Sequence, residues 1–199
     1  MKEKRNECRP LASYARCTAG LPRLRVEAPG RDEAYIFYTQ SDLADGLNGS
    51  ADERATMRRN EVGDIEALQA GDVIYSLISG EASIVGTRQE GYAYTQNFVK
   101  IDIEDADALD AEYLVYLLNE SAAIRRQLAT GIQSSTLVVK YTVQQLRELK
   151  LPTLPDIGTQ RRVGEIYFKR NRLAHLRKEA ADAESELIRA KLREVTGDE

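Results

Sequence analysis

The chain has 199 residues, 42% of them hydrophobic and 30% charged, with a formal net charge of -4; this describes one folded globular domain, or a domain with an appendage, and excludes fibrous, low-complexity and disordered classes. No apolar run reaches the roughly 20 residues needed to span a bilayer, and the opening MKEKRNECRP lacks the apolar stretch of a signal peptide, so the expected location is the cytoplasm. Cys8 and Cys17 form no Cys-x-x-Cys pair, which excludes a zinc ribbon or a disulfide framework.

The charge is unevenly spread. Residues 1–158 hold 18 Lys or Arg against 24 Asp or Glu, a net of -6, whereas residues 159–199 hold 10 against 8, a net of +2. Within the acidic part, arginines gather in loop-like, Gly- or Pro-flanked places: Arg23, Arg25 and Arg31, then Arg54, Arg58 and Arg59, then Arg88. Binding residues are often carried on such loops.

In chain order, the runs AYIFYT (34–39), DVIYSLI (72–78), ASIVG (82–86) and YAYTQNFVKI (92–101) are rich in β-branched and aromatic residues and bounded by Gly or Asp. They predict a mixed, mostly antiparallel, curved sheet with packed helices, an α+β fold. Between the first two runs, SDLADGLNGSADERATMRRNEVGD (41–64) is polar and turn-rich and is expected to form a long loop. Asp110 is placed to cap a helix with apolar residues at Leu114, Leu117, Leu118, Ile124 and Leu128, stopped by Gly131. A short strand TLVVK (136–140) and a short helix from Thr142 to Leu149, capped by the Thr142 hydroxyl, come next.

In LKLPTLPDIGTQRRV (149–163), Pro152 and Pro155 forbid helix locally, Gly158 reads as a flexible corner and Thr159 as the cap of a new helix. From Thr159 to about Val195 no proline intervenes. Ile166, Leu173, Leu176, Ala180, Ala183, Leu187 and Ala190 lie along this helix, and from Leu173 onward they alternate three and four apart, a heptad seam. The seam is short and Ala-rich, so it asks for a partner helix. The expected division is a domain over 1–158 and a spacer and dimerisation helix over 159–199.

Catalytic signatures are sparse. The single histidine, His175, lies off the seam in the long helix and reads as a surface residue. The chain has no Walker-type phosphate loop, no GxGxxG after a strand and no His-Glu-x-x-His. The acidic run IDIEDADALDAE (101–112) reads as a strand end, a loop and a helix N-terminus, where negative charge is favoured, rather than as a metal site.

The succession LQAGDVIYSLISGEASIVG, YTQNFVKI, LDAEYLVYLLNES, ATGIQSSTLVVKYTVQQLRELKLPTLP and a terminal helix resembles the specificity subunits of type I restriction-modification systems over most of the chain. PLASYARCTAGLP resembles the family's opening strand and glycine turn, with Gly20 in the turn. Where the family shows paired prolines and then Glu-Gln, this chain has separated prolines and Thr159-Gln160. The resemblance implies a target recognition domain ending in a Leu-Pro-rich exit, Leu149 to Pro155, with a spacer helix after it. A full subunit resembles two such domains and two spacers, so this chain corresponds to half, and an antiparallel homodimer through the helix is implied.

The same resemblance implies a non-catalytic DNA-binding subunit that reads a bipartite palindromic site and guides methyltransferase and restriction subunits. S-adenosylmethionine then serves the assembly, and this chain carries no cofactor or metal. The DNA-contacting candidates are Arg23, Arg25, Arg31, Arg54, Arg58, Arg59, Arg88 and Gln89, with Gln133, Ser134 and Ser135 in the glycine-led loop. Two other readings stay open: a stand-alone DNA-acting enzyme such as a nuclease, and a dimerising interaction protein that has lost DNA binding. The target sequence itself is not legible in these strings.

Overall fold

The computed structural model describes residues 8–22, 36–49, 67–130 and 141–196. Four strands, β1 (Ala15–Ala19), β2 (Val73–Ser76), β3 (Ala82–Ile84) and β4 (Phe98–Ile103), form one antiparallel sheet in the order β1-β4-β2-β3. Among the described residues five α-helices accompany them: α1 (Gln40–Asn48), α2 (Ala111–Glu120), α3 (Ala122–Thr130), α4 (Val143–Glu148) and α5 (Ile157–Thr196). The α+β class with a mostly antiparallel sheet agrees with the sequence.

Register explains the two cores. Val73 pairs with Ile101 and Ala15 with Ile103, so alternate residues Ala15, Cys17, Val73, Tyr75, Ala82, Val99 and Ile101 share one face, on which α2 and α3 deposit Leu114, Leu118, Ile124 and Leu128. The opposite face carries Ile74 and Phe98, against which Tyr38, Leu43, Leu68, Val85 and Tyr94 pack as a second, smaller cluster. Toward β1 this second face turns charged. Lys100 lies 3.1 Å from Asp102 and 3.5 Å from Asp72, and Arg16 reaches Asp102 at 3.4 Å.

Several expected elements come out differently. The segment expected as a loop from residue 41 begins inside α1. Thr39 Oγ1 accepts the Asp42 N–H at 3.3 Å while the Asp42 carboxylate accepts the Thr39 N–H at 2.8 Å, and Gly49 closes the helix at φ 61°. The helix expected from Asp110 to Gly131 is two helices, because Ser121 leaves helical geometry at ψ 114° and its hydroxyl accepts the Ile124 N–H at 3.4 Å. The expected strand 92–101 is regular only from Phe98: a turn closed by Phe98 N–H to Thr95 O at 2.9 Å interrupts it, and Ala93 and Thr95 make isolated bridges to Phe37 and Leu21. The expected strand 136–140, the stop at Gly131 and the start of 34–39 lie outside the described residues.

The corner expected at Gly158 is helical. Asp156, not Thr159, caps α5: its Oδ1 accepts the Thr159 N–H at 3.0 Å and its Oδ2 accepts the Thr159 hydroxyl at 2.6 Å. These two bonds hold the Asp156 carboxyl below its ordinary pKa. Pro155 sits immediately before the cap, so the helix starts abruptly out of the extended exit.

Candidate nucleic-acid interface

The connector between β3 and β4, residues 85–97, collects the ends of the segments that carry most of the candidate residues. Segment 23–35 leaves after Pro22 and returns at Ile36. Before it, the Leu21 N–H donates to Tyr94 O at 3.3 Å and Leu21 O accepts the Gln96 N–H at 3.1 Å. After it, Ile36 O accepts the Ala93 N–H at 2.9 Å and the Tyr38 N–H donates to Ala93 O at 2.8 Å. Segment 50–66 returns at Ala67, and Leu68 is then fastened by its N–H to Tyr92 O at 2.9 Å and by its O to the Gly91 N–H at 2.8 Å. Segment 131–140 returns at Tyr141, whose N–H donates to Leu77 O at 3.1 Å, while the Leu77 N–H donates to Asn97 O at 2.8 Å.

Arg23, Arg25, Arg31, Arg54, Arg58, Arg59, Gln133, Ser134 and Ser135 lie outside the described residues. What is described is that the returns of their three segments are fixed to residues 91–97 and to Leu77 beside them. The close approach depends on Gly20: a Cβ there would stand 2.3 Å from Tyr94 O and 2.4 Å from Thr95 O.

Of the two described candidates, Arg88 is exposed on the single turn Thr87–Gln89 of the same connector. Gln89 is 0% exposed, and among the described residues neither its Oε1 nor its Nε2 has a hydrogen-bond partner. A side chain so placed reaches no base edge without local opening. Tyr94 is buried in the second cluster and Asn97 is exposed in the turn before β4.

The root of α5 is held by buried side-chain hydrogen bonds and close packing. Gln160, 1% exposed, accepts the Asp110 N–H at 3.0 Å and donates to Ala108 O at 3.1 Å and Pro155 O at 2.9 Å. One turn further, Gly164 lies against the start of α2, where a Cβ would stand 2.5 Å from the Glu112 Cβ. Next, the buried Asn119 amide pairs both backbone groups of Ala82 on β3, at 2.8 and 2.9 Å, and donates to Tyr167 Oη at 3.0 Å. Arg170 closes the root, bonded to Glu120 at 2.6 Å with its guanidinium 4.9 Å from the Tyr167 ring. The sequence reading missed Gln160 and Asn119. Asn119 had a signal, an amide inside the apolar face of α2, and Gln160 had one in its place within Thr159-Gln160, where the resembled family shows Glu-Gln.

Beyond this root the helix leaves the domain, and every residue from Leu176 to Thr196 is exposed. Ile166, Leu173, Leu176, Ala180, Ala183, Leu187 and Ala190 are all exposed, Ile166 at 67% and Leu187 at 57%. A second stripe, seven residues apart at Ala174, Ala181, Ile188 and Val195, is exposed as well and was overlooked in the sequence. His175, expected as a solvated residue, is only 23% exposed and lies 3.1 Å from Glu179. Among the described residues no cluster of metal-ligating side chains occurs and no helix is long and apolar enough to cross a membrane.

No family model matches the chain, and no curated protein matches it. Solved structures do. The HsdS subunit from Thermoanaerobacter tengcongensis aligns with 92% of this chain at a TM-score of 0.52 and 17% identity, and this chain covers 41% of it. A structure described as the basis of complex assembly and conformational transition of the type I R-M system aligns with 91% at 0.56 and 18% identity, with 42% of that chain covered. The type I restriction-modification S subunit from M. genitalium aligns with 83% at 0.48 and 13% identity, with 40% covered. The likeness of fold rests on the first two, and the chain spans about two fifths of the length of each structure it matches.

Proposed function

We propose that the chain is a DNA specificity subunit of a type I restriction-modification assembly, with one recognition domain and one spacer helix. It acts as a homodimer on a bipartite palindromic site, catalyses nothing itself, and guides methyltransferase and restriction subunits. No cofactor is assigned to it; S-adenosylmethionine belongs to the methyltransferase.

The observation that carries this reading is the pairing of a compact domain with a 40-residue helix, about 60 Å long, whose outer half touches none of the described domain. A rigid rod welded to a domain by Gln160 and Asn119 sets a distance. Two domains held at a set distance read two half-sites separated by a fixed gap, and identical domains require a palindrome. The fastening of arginine-bearing segments to one connector supports a reading face on the domain, since loops on a rigid scaffold are where contacts to bases and phosphates are made.

The test is co-purification with a type I methyltransferase subunit from the same organism, and then mapping of methylated adenines in random-sequence DNA. The expected result is a stable complex that methylates one bipartite palindrome. A purified chain that forms no complex and directs no methylation overturns the proposal.

A further inference from the structure

The side of α5 that bears the heptad seam is free of the domain along almost its whole length: Arg162, Glu165, Ile166, Lys169 and Leu173 are exposed although they lie beside the root. A partner helix therefore has about 35 residues of surface to run along, and the question is how two copies align. Written as a heptad, Ile166, Leu173, Ala180 and Leu187 occupy one core position and Lys169, Leu176, Ala183 and Ala190 the other. In an antiparallel pair each residue of the first set faces one of the second.

We infer that two copies pair antiparallel in the register that sets Leu173 against Ala183, Leu176 against Ala180 and Ile166 against Ala190, with the two-fold axis at Lys178. The inference rests on the homodimer reading above and specifies it. In this register every large exposed side chain of the proximal seam meets an alanine, so the backbones approach to the close end of the usual 8–10 Å range. Leu187 meets the aliphatic stem of Lys169.

The flanking charges select the same register. On one side Arg172 faces Glu186 and Glu165 faces Arg193; on the other Arg170 faces Glu184, and the two-fold axis makes each pair occur twice. Like charges meet only next to the axis, at Arg177 and at Glu179, and Glu179 already lies 3.1 Å from His175 of its own helix. Arg170 is held by Glu120 and Glu165 by Lys169 of its own helix, so the discrimination falls mainly on Arg172 with Glu186.

Sliding by one heptad, so that Leu176 meets Leu187 and Leu173 meets Ala190, brings Arg172 onto Arg193, Glu179 onto Glu186 and Arg170 onto Lys191. A parallel pair sets Arg172 against Arg177 and Glu179 against Glu184. In the slid register Leu173 keeps an alanine opposite but Leu176 meets Leu187, and the parallel pair sets leucine against leucine and alanine against alanine.

The register fixes a length. Gly164, seated against the start of α2, stands level with Leu192 of the second copy, so the two roots are about 42 Å apart along the axis, against about 52 Å in the slid register. That difference corresponds to about three base pairs of B-DNA.

The test is disulfide trapping in the full chain with Cys8 replaced by serine and the buried Cys17 retained. Chains carrying L173C and chains carrying A183C, mixed and mildly oxidised, are expected to give at least tenfold more cross-linked dimer than L173C mixed with A190C. The reverse preference, with a dimer present by analytical ultracentrifugation, overturns the register and leaves the homodimer reading standing. A chain that stays monomeric at all concentrations overturns both. In a second measurement, R172E and E186R each weaken self-association about tenfold while the double variant restores it; no restoration overturns the register.

Discussion

The side-chain oxygen of Gln160 accepts the backbone N–H of Asp110 at 3.0 Å, joining the first turn of the 40-residue helix to the residue that caps α2. Asp110 in turn accepts the Tyr113 N–H at 3.0 Å, so one buried amide lies at the meeting point of two helix starts. Replacing Gln160 with alanine strands the Asp110 N–H and the carbonyls of Ala108 and Pro155 in a buried site. A buried group left unpaired costs about 1–3 kcal/mol, and partial access of water offsets some of the total, so Q160A is expected to lose about 3 kcal/mol in urea unfolding. A loss under about 1 kcal/mol would show that the root is held by packing alone.

Arg88 and Gln89 are neighbours with opposite surroundings. Arg88→Ala is expected to leave stability within about 0.5 kcal/mol, weaken DNA binding about fivefold and lower the salt-dependence slope by about one, as loss of one phosphate contact does. Gln89→Met removes a fully buried amide that has no partner among the described residues and keeps a similar volume, so it is expected to stabilise the fold by about 1 kcal/mol and leave DNA affinity unchanged. Weakened DNA binding by Q89M, with the fold intact, would return Gln89 to the reading face.

Two carboxyls at the root titrate with opposite sign. Hydrogen bonds from the Thr159 hydroxyl and N–H hold Asp156 below its ordinary range, so its contribution is present above the unfolded-state pKa and is lost as pH falls through the folded-state value. Burial first, and then the charges of Asp110 and Glu165, raise Glu112, so its contribution is present at low pH and is lost as pH rises through the folded-state value. Asp156→Ala is therefore expected to melt lower than the parent at pH 7, with the difference closing in acid. Glu112→Gln is expected to melt higher at pH 7, that advantage also closing in acid. Thermal melts from pH 3 to 7 check both signs, and parallel curves for either variant would refute its assignment.

Features that rest on local pattern were legible in the sequence, and those that rest on distant packing were not. β2, β3 and β4 were read from runs of Val, Ile, Tyr and Phe because the buried sheet needs those residues on both faces. The Thr142 cap was read correctly because a capping box is local, and the same box at Thr39 and Asp42 was present but masked by the polar stretch after it. Two features with local causes are exceptions: the division at Ser121, whose hydroxyl accepts the Ile124 N–H, and the helical Gly158, which follows the Asp156 cap, since a lone Ser or an Asp after proline fits a turn as well as a cap. The proposed reading face was legible only as a choice of loops; that their returns converge on residues 91–97 and Leu77 is a matter of long-range hydrogen bonds that no local pattern records.

Gly164 belongs to the face of the helix that seats on α2, opposite its seam. An alanine Cβ there would lie 2.5 Å from the Glu112 Cβ and 2.9 Å from the Tyr113 backbone nitrogen, and since backbone cannot swing aside, α2 and α5 must move apart. Overpacking of this kind costs about 1–3 kcal/mol, whereas alanine for glycine in an open helix gains about 1 kcal/mol, so the sign of the change is diagnostic. Gly164→Ala is expected to lose about 2 kcal/mol. The seam residues Ile166, Leu173 and Leu176 lie on the opposite, exposed side of the helix, so self-association of the folded variant is expected to be unchanged. Urea unfolding and sedimentation on the same sample check the two halves. A gain in stability would mean the helix is not seated on α2, and a fall in self-association with the fold intact would mean that the seam and the root are not independent.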